Sequence, residues 1–166
     1  MATSKRTLYY VGKNHYSEAE VFADMFDEVK CHPINANSNI SYMTKDDVII
    51  LGGGEDISPA MYEAEPSQFN FGPPSPSERD IAELNIIYEA KMRKIPVIGI
   101  CRGAQMLGVA TDNTLVQHVT GHGRDHDIFF TNYAKGNLVI PNVDVEQWYP
   151  CLSSHHQMVY RTNDNI

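Results

Sequence analysis

Cys101 is the side chain with the most chemistry to offer, and its neighbours limit what that chemistry can be. It ends the apolar run "PVIGI" (Pro96–Ile100) and opens "CRGAQ", so a strand passes into a helix at the thiol. Gly99 and Gly103 stand two residues to either side, which is the G-x-nucleophile-x-G spacing of a nucleophile elbow. The glycines suit a turn this tight, because a side chain at either position would strike the neighbouring strand or helix. In that geometry the positive end of the following helix favours a thiolate. The backbone N–H of Arg102 points toward the site as one half of an oxyanion hole. The competing reading is a packed small hydrophobe, since free cysteine is among the most buried residue types. Spacing alone leaves both open.

The other half of such a hole has to come from a second strand-end loop. "LGGGEDISP" follows the apolar run "DVIIL" and offers glycines whose N–H groups can approach a substrate closely. A phosphate cradle fits less well, because no G-K-[ST] follows and the next residues, Glu55 and Asp56, are acidic. Cys31 and Cys151 lack a glycine context, and no C-x-x-C spacing occurs. The cysteines read as separate thiols in a reducing compartment. His118, His122 and His126 recur at four-residue intervals, but Gly121 and Gly123 interrupt any helix there. That spacing matches no strong zinc signature, so structural or substrate-lining roles are expected and no metal or cofactor is.

These residues need elements to position them. "TLYYVG" (7–12) predicts a first strand. Residues 17–30 predict a helix, with a Ser17–Glu20 capping box and an apolar face of Val21, Phe22, Met25, Phe26 and Val29. "DVIIL" (47–51) predicts a strand buried on both faces. Residues 65–77, rich in proline, predict an irregular excursion. A second helix is predicted over 78–94, entered from Ser75 or Ser77, with Ile81, Leu84, Ile87 and Tyr88 on its apolar side. "IPVIGI" predicts another buried strand, and "DIFFTNY" and "NLVIP" a pair of short strands. Alternating β-α-β-α-β implies an α/β domain with a mostly parallel sheet and helices on both faces, and ligands meet such sheets at the carboxyl ends of the strands. Cys101 stands at one of those ends.

Composition narrows the function classes. At 166 residues the chain reads as one domain (1–166) able to bury a core without disulfides. A net charge of −8 argues against a nucleic-acid surface. No run of about 18 apolar residues suggests a membrane span, and "MATSKRTLYYVG" lacks a signal peptide's apolar core. Cytoplasmic location is the expectation.

"GGEDISPAMY", "ERDIAELNIIYEA", "PVIGICRGAQMLGVA", "NTLVQHVTGH" and "SSHHQMV" follow one another in an order that resembles class I glutamine amidotransferases. The chain is most similar to the branch holding the γ-glutamyl hydrolases and γ-glutamyl-γ-aminobutyrate hydrolases, over about Leu8 to Val159. The resemblance implies a flavodoxin-like three-layer α/β/α domain. It implies that Cys101 attacks the γ-amide carbon of glutamine or a γ-glutamyl amine, and that Gly53, Gly54 and the Arg102 amide hold the oxyanion. Gln105, Ser153, His155, His156 and Gln157 then line the pocket for this small-molecule γ-glutamyl substrate. A thioester forms, ammonia or an amine leaves, and hydrolysis gives glutamate. Partners on this reading are a synthase subunit that receives the ammonia, or a second copy of the chain. One departure is plain: the family's general base His and its orienting Glu lie in an H-P-E-like segment, and residues 1–166 contain none. The family's last strands are expected to be missing with it. The alternative is therefore a truncated or catalytically silent relative that binds and regulates. Asp112 and Asn113 replace two glycines of the family pattern and should tolerate the same turn.

Overall fold

The computed structural model describes residues 5–12, 17–35, 38–130 and 146–160. They form two compact units, Met1–Gln117 with Gln157–Ile166, and His118–His156. In the first, four strands make a wholly parallel sheet: β1 (Thr7–Val11), β2 (Glu28–His32), β3 (Val48–Leu51) and β4 (Val97–Gly99), in the order β2-β1-β3-β4. The expected α/β class with a mostly parallel sheet is what the chain adopts. Alternation along each strand builds two cores. Tyr9, Val11, Ile49 and Leu51 face one side, where they meet Ile86, Ile87 and Ala90 of α2 (Glu78–Arg93) and Met106 and Val109 of α3 (Arg102–Val109). Leu8, Tyr10, Val48 and Ile50 face the other, with Ala19 of the one-turn helix α1 (Ser17–Glu20). Each fully buried aliphatic chain contributes about 1.5–3 kcal/mol.

β5 (Thr114–Val116) pairs antiparallel with β8 (Met158–Tyr160), beside α3. Gly108 of α3 makes that approach possible, since a Cβ there would stand 2.8 Å from Val159 Cγ2. Asp112 adopts φ 61° in the turn leading to β5, and Asn113 Nδ2 donates to the Gly108 and Thr111 carbonyls, so this Asp-Asn pair holds the turn. Residues 65–77 are irregular, as expected, and Gln117 fastens the start of the excursion by accepting from Ser67 N and donating to Glu65 O.

Three expectations need correction. The helix expected over 17–30 is replaced by α1, a 3-10 turn (Ala23–Met25) and the strand β2. Phe22, Phe26 and Val29 still reach the second core, but Val21 and Met25 are 79% and 65% exposed. Pairing with β1 decides the matter: Asp27 N donates to Arg6 O, and Glu28–His32 then run in register with Thr7–Val11. Tertiary pairing overrides the helical spacing. The apolar side of α2 is also rotated from the expected one. Ile81 and Tyr88 are 46% and 47% exposed, while Arg79, Asp80, Ala82, Glu83, Ile86, Ile87 and Ala90 are buried. Finally, β4 ends the four-stranded order and its residues are half-buried, where a strand covered on both faces was expected.

The second unit holds β6 (His126–Phe130) paired antiparallel with β7 (Gln147–Cys151). The first four residues of "DIFFTNY" thus fall in β6, whereas the rest of it and "NLVIP" lie outside the described residues. No helix among the described residues is long and apolar enough to cross a membrane.

Candidate active site

Cys101 sits where β4 turns into α3, with φ 51° and ψ −111°. For a residue with a Cβ this is strained backbone, costing about 1–3 kcal/mol, and surrounding structure has to enforce it. The enforcement is visible. Ile100 N donates to Leu51 O, Gly103 N to Ile100 O and Gln105 N to Cys101 O. A Cβ on Gly103 would lie 2.1 Å from Leu51 O, and one on Gly99 2.5 Å from the Gly103 carbonyl. Both glycines are thus required by contact with backbone, which cannot give way. Cys101 itself is exposed, so it is not a packed hydrophobe. The Arg102 N–H opens α3, where helix geometry supplies no intrahelical acceptor.

The glycine loop after β3 comes to the same place. A Cβ on Gly53 would stand 3.5 Å from Cys101 Cβ and 3.9 Å from Sγ. Arg79 holds this loop from behind, Nη2 donating to the carbonyls of Gly52 (3.2 Å) and Gly53 (3.0 Å). In a trans peptide the N–H points opposite to the carbonyl. Arg79 therefore aims the Gly53 and Gly54 N–H groups away from itself. Gly54 has φ 153°, and a Cβ there would lie 2.2 Å from Arg79 Nη1. The Gly53 N–H has an acceptor already: it donates to Glu18 Oε2 at 3.0 Å, and Tyr10 Oη donates to the same oxygen at 3.0 Å.

One ionic network, buried except at Glu55, ties the two loops together. Arg79 Nε donates to Glu83 Oε1 at 2.7 Å, and Nη1 donates to Glu55 Oε2 at 2.9 Å. The Arg102 guanidinium, 1% exposed, donates to the other oxygen of Glu83 and to Asp80 Oδ1. Asp80 Oδ2 accepts from Ser77 N and Oγ, and the Ser77 hydroxyl in turn accepts from Asp80 N, which completes the capping box of α2. Burial works against a charged Arg79, but Glu83 and Glu55 outweigh it and push its pKa up. Buried charges persist only when paired in this way. Arg102 thus has two separate uses, a side chain locked into the interior and a backbone N–H at the turn.

Gln105 and Gln157 are brought together, Gln105 Nε2 donating to Gln157 O at 3.2 Å, and both are buried. Ser153, His155 and His156 belong to the second unit. There Ser153 Oγ donates to His122 O at 2.5 Å, the His155 ring stands edge-on to His122, and His118 and His156 bring their Nδ1 atoms to 3.4 Å. His126 lies 4.6 Å from His122 between ring centroids. Desolvation first, then His155 and His126, holds the His122 imidazole below its ordinary pKa. Among the described residues no group of three or more His, Cys, Asp or Glu side chains is arranged to hold a metal ion.

Sequence reasoning missed Glu18, Tyr10, Arg79, Asp80 and Glu83. Arg79 and Glu83 did carry a signal, an i,i+4 ion pair between residues of a helix that also presents an apolar face.

The sequence profile of the family described as Peptidase C26 matches residues 29–165. The chain is 36% identical over 111 residues to the glutamine amidotransferase-like protein YvdE of Lactococcus lactis subsp. lactis, covering 66% of this chain and 46% of that protein. It is 31% identical over 111 residues to a γ-glutamyl-CDP-amidate hydrolase of Campylobacter jejuni, covering 65% of this chain and 49% of that one. The chain thus spans about half the length of these relatives. In fold it resembles a protein from Thermoplasma acidophilum described as a GMP synthase subunit. The TM-score is 0.62 at 16% identity, with 98% of this chain and 70% of that one covered.

Proposed function

The chain belongs to the Peptidase C26 family, and from that premise we propose that it carries the nucleophile half of a hydrolase acting on γ-glutamyl amide bonds. The observation that carries this reading is Cys101: an exposed thiol held at positive φ, with the Gly53 loop against it. The thiolate attacks the γ-carbonyl carbon, and a C–S bond forms as the carbonyl oxygen takes the negative charge. The N–H groups of Arg102, Gly53 and Gly54 are the donors for that oxygen. Collapse breaks the C–N bond, the amine or ammonia leaves with a proton, and water hydrolyses the thioester to glutamate and free thiol. The proton transfers need a base, which the family resemblance assigns to an H-P-E-like segment absent from residues 1–166. Gln105 and Gln157 are the side chains we assign to the glutamyl portion; for Ser153, His155 and His156, of the second unit, that role rests on the family resemblance alone.

The name of the Campylobacter relative supports the γ-glutamyl substrate class. The description of the Thermoplasma protein supports a synthase chain as the partner that would receive ammonia. Free thiols at Cys31, Cys101 and Cys151 suit a reducing compartment such as the cytoplasm.

A chloroketone analogue of glutamine tests the reading. Stoichiometric alkylation of Cys101, absent in Cys101→Ala and absent at Cys31 and Cys151, is the expected result by peptide mass mapping. No alkylation at neutral pH by a folded chain would overturn it. Alkylation by the chloroketone with no glutamate released from glutamine would favour a truncated enzyme, in which the helix terminus still activates the thiol and the base is missing.

A further inference from the structure

The donor that the reaction would use is occupied. Glu18 Oε2 accepts the Gly53 N–H at 3.0 Å, and one N–H serves one strong acceptor at a time. Glu18 Oε1 lies 2.9 Å from the position a Gly53 Cβ would take, and Cys101 Cβ and Sγ lie 3.5 and 3.9 Å from that same point. Carboxylate and thiol therefore approach the same side of Gly53. To a backbone N–H, a carboxylate oxygen and a tetrahedral oxyanion look alike, each a negatively charged acceptor.

We propose that Glu18 is an internal competitor for the oxyanion donor: its carboxylate holds the Gly53 N–H in the resting chain and must leave before a substrate carbonyl oxygen can take it. This rests on the γ-glutamyl hydrolase reading of Cys101. Two further features fit. Tyr10 Oη donates to the competing oxygen at 3.0 Å from a buried position on β1. Its pKa is pushed up to about 12, by burial first and then by Glu18, so the hydroxyl keeps its proton and the clasp holds across the neutral range. The carboxylate also rides on α1, a single turn of helix, whose displacement disturbs few backbone hydrogen bonds. Arg79, by contrast, fixes the glycine loop itself through two carbonyls. The loop stays still while its occupant changes.

Two alkylating agents separate this contact from general effects on the thiol. Iodoacetamide reads the thiol alone, whereas the chloroketone analogue of glutamine also places a carbonyl oxygen in the hole. In Glu18→Ala the chloroketone rate should rise about tenfold, near the low end of what one charge-assisted hydrogen bond corresponds to, with a much smaller change for iodoacetamide. Tyr10→Phe, which keeps the ring and removes the clasp, should move the chloroketone rate in the same direction by a smaller factor. Thermal unfolding of each variant verifies the fold. Equal chloroketone rates in the parent chain and Glu18→Ala, or parallel increases with both reagents, would overturn the Glu18 proposal and leave the hydrolase reading standing. If iodoacetamide labels Cys101 but the chloroketone labels neither protein, the hydrolase reading falls, and the Glu18 proposal with it.

Discussion

Two regions of this molecule gather ionisable side chains, and they do so in opposite ways. Beneath the elbow, Arg79, Asp80, Glu83 and Arg102 are buried, and each finds an opposite charge. In the second unit His118, His122, His126, His155 and His156 crowd at exposed or half-buried positions, ring against ring. By residue type, the histidine region is the richer in chemistry. Its rings meet one another rather than converge on a shared point, and no metal-holding group results among the described residues. The elbow region offers one thiol, on a strained turn with the Gly53 loop beside it and a paired ionic network behind. A candidate site is better recognised by what is held in place than by how many reactive side chains lie close together.

The sharpest way to break this contrast is to remove a charge from each region. Glu83→Ala leaves two buried arginines without their shared carboxylate, and losing one partner of a buried ion pair costs about 3–5 kcal/mol. His155→Ala removes half of an edge-on ring contact and should change stability by no more than about 0.5–1 kcal/mol. Urea unfolding of both variants measures the difference. Similar losses would mean that the ionic network fixes nothing the histidines do not.

The elbow is legible from the sequence because glycine spacing reports backbone geometry directly. Gly99 and Gly103 allow few alternatives once Cys101 lies between a strand and a helix, and the contacts with Leu51 O and the Gly103 carbonyl supply the reason. The network behind it is not legible, because periodicity treats charge as a mark of solvent. Arg79, Asp80 and Glu83 are inside, so periodicity assigns the apolar side of α2 to Ile81 and Tyr88, which are exposed in part. β2 is hidden for a different reason. Phe22, Phe26 and Val29 have helical spacing, and only the register with β1 shows that Val29 lies beside Leu8 on a strand. Local pattern carries the turn, while pairing at a distance carries the rest.

A pair of glycines sharpens the comparison at the next level down. A Cβ on Gly103 meets Leu51 O at 2.1 Å, whereas one on Gly123 meets nothing within 4 Å. Gly103→Ala should cost about 1–3 kcal/mol through forced backbone movement and should slow alkylation of Cys101 as the turn opens. Gly123→Ala should stay within about 0.5 kcal/mol. Equal effects in the two regions would remove the claim that contact with backbone, rather than glycine as such, shapes the elbow. Ser77→Ala comes next, at about 1 kcal/mol for a lost helix cap. Asp80 uses one carboxylate oxygen for the cap and the other for Arg102, so the cap also orients a member of the network. Combined with Glu83→Ala, the loss from Ser77→Ala should differ measurably from its value alone, because the two sites share that carboxylate's surroundings.

The smallest expected effect is one of pH, and it belongs to the histidines. His122 is held below its ordinary pKa by desolvation and by its neighbours His155 and His126. Its protonation is therefore easier in the unfolded chain than in the folded one. Above the ordinary histidine value, near pH 6.5, both states are neutral and the group contributes no pH dependence. As pH falls through that value the unfolded chain gains its proton first, and stability is lost. His32 of β2 is depressed in the same direction by burial, so the edge of the parallel sheet weakens on acidification as well, for its own reason. Hydrogen exchange between pH 7.5 and 5.5 can tell them apart. His122→Gln should flatten the acid-induced loss of protection in β6 and β7 while leaving that of β1 and β2 as before. If β6 and β7 lose protection equally with and without His122, the crowding of the rings has no energetic consequence, and the histidine region is solvated surface that happens to be rich in one residue type.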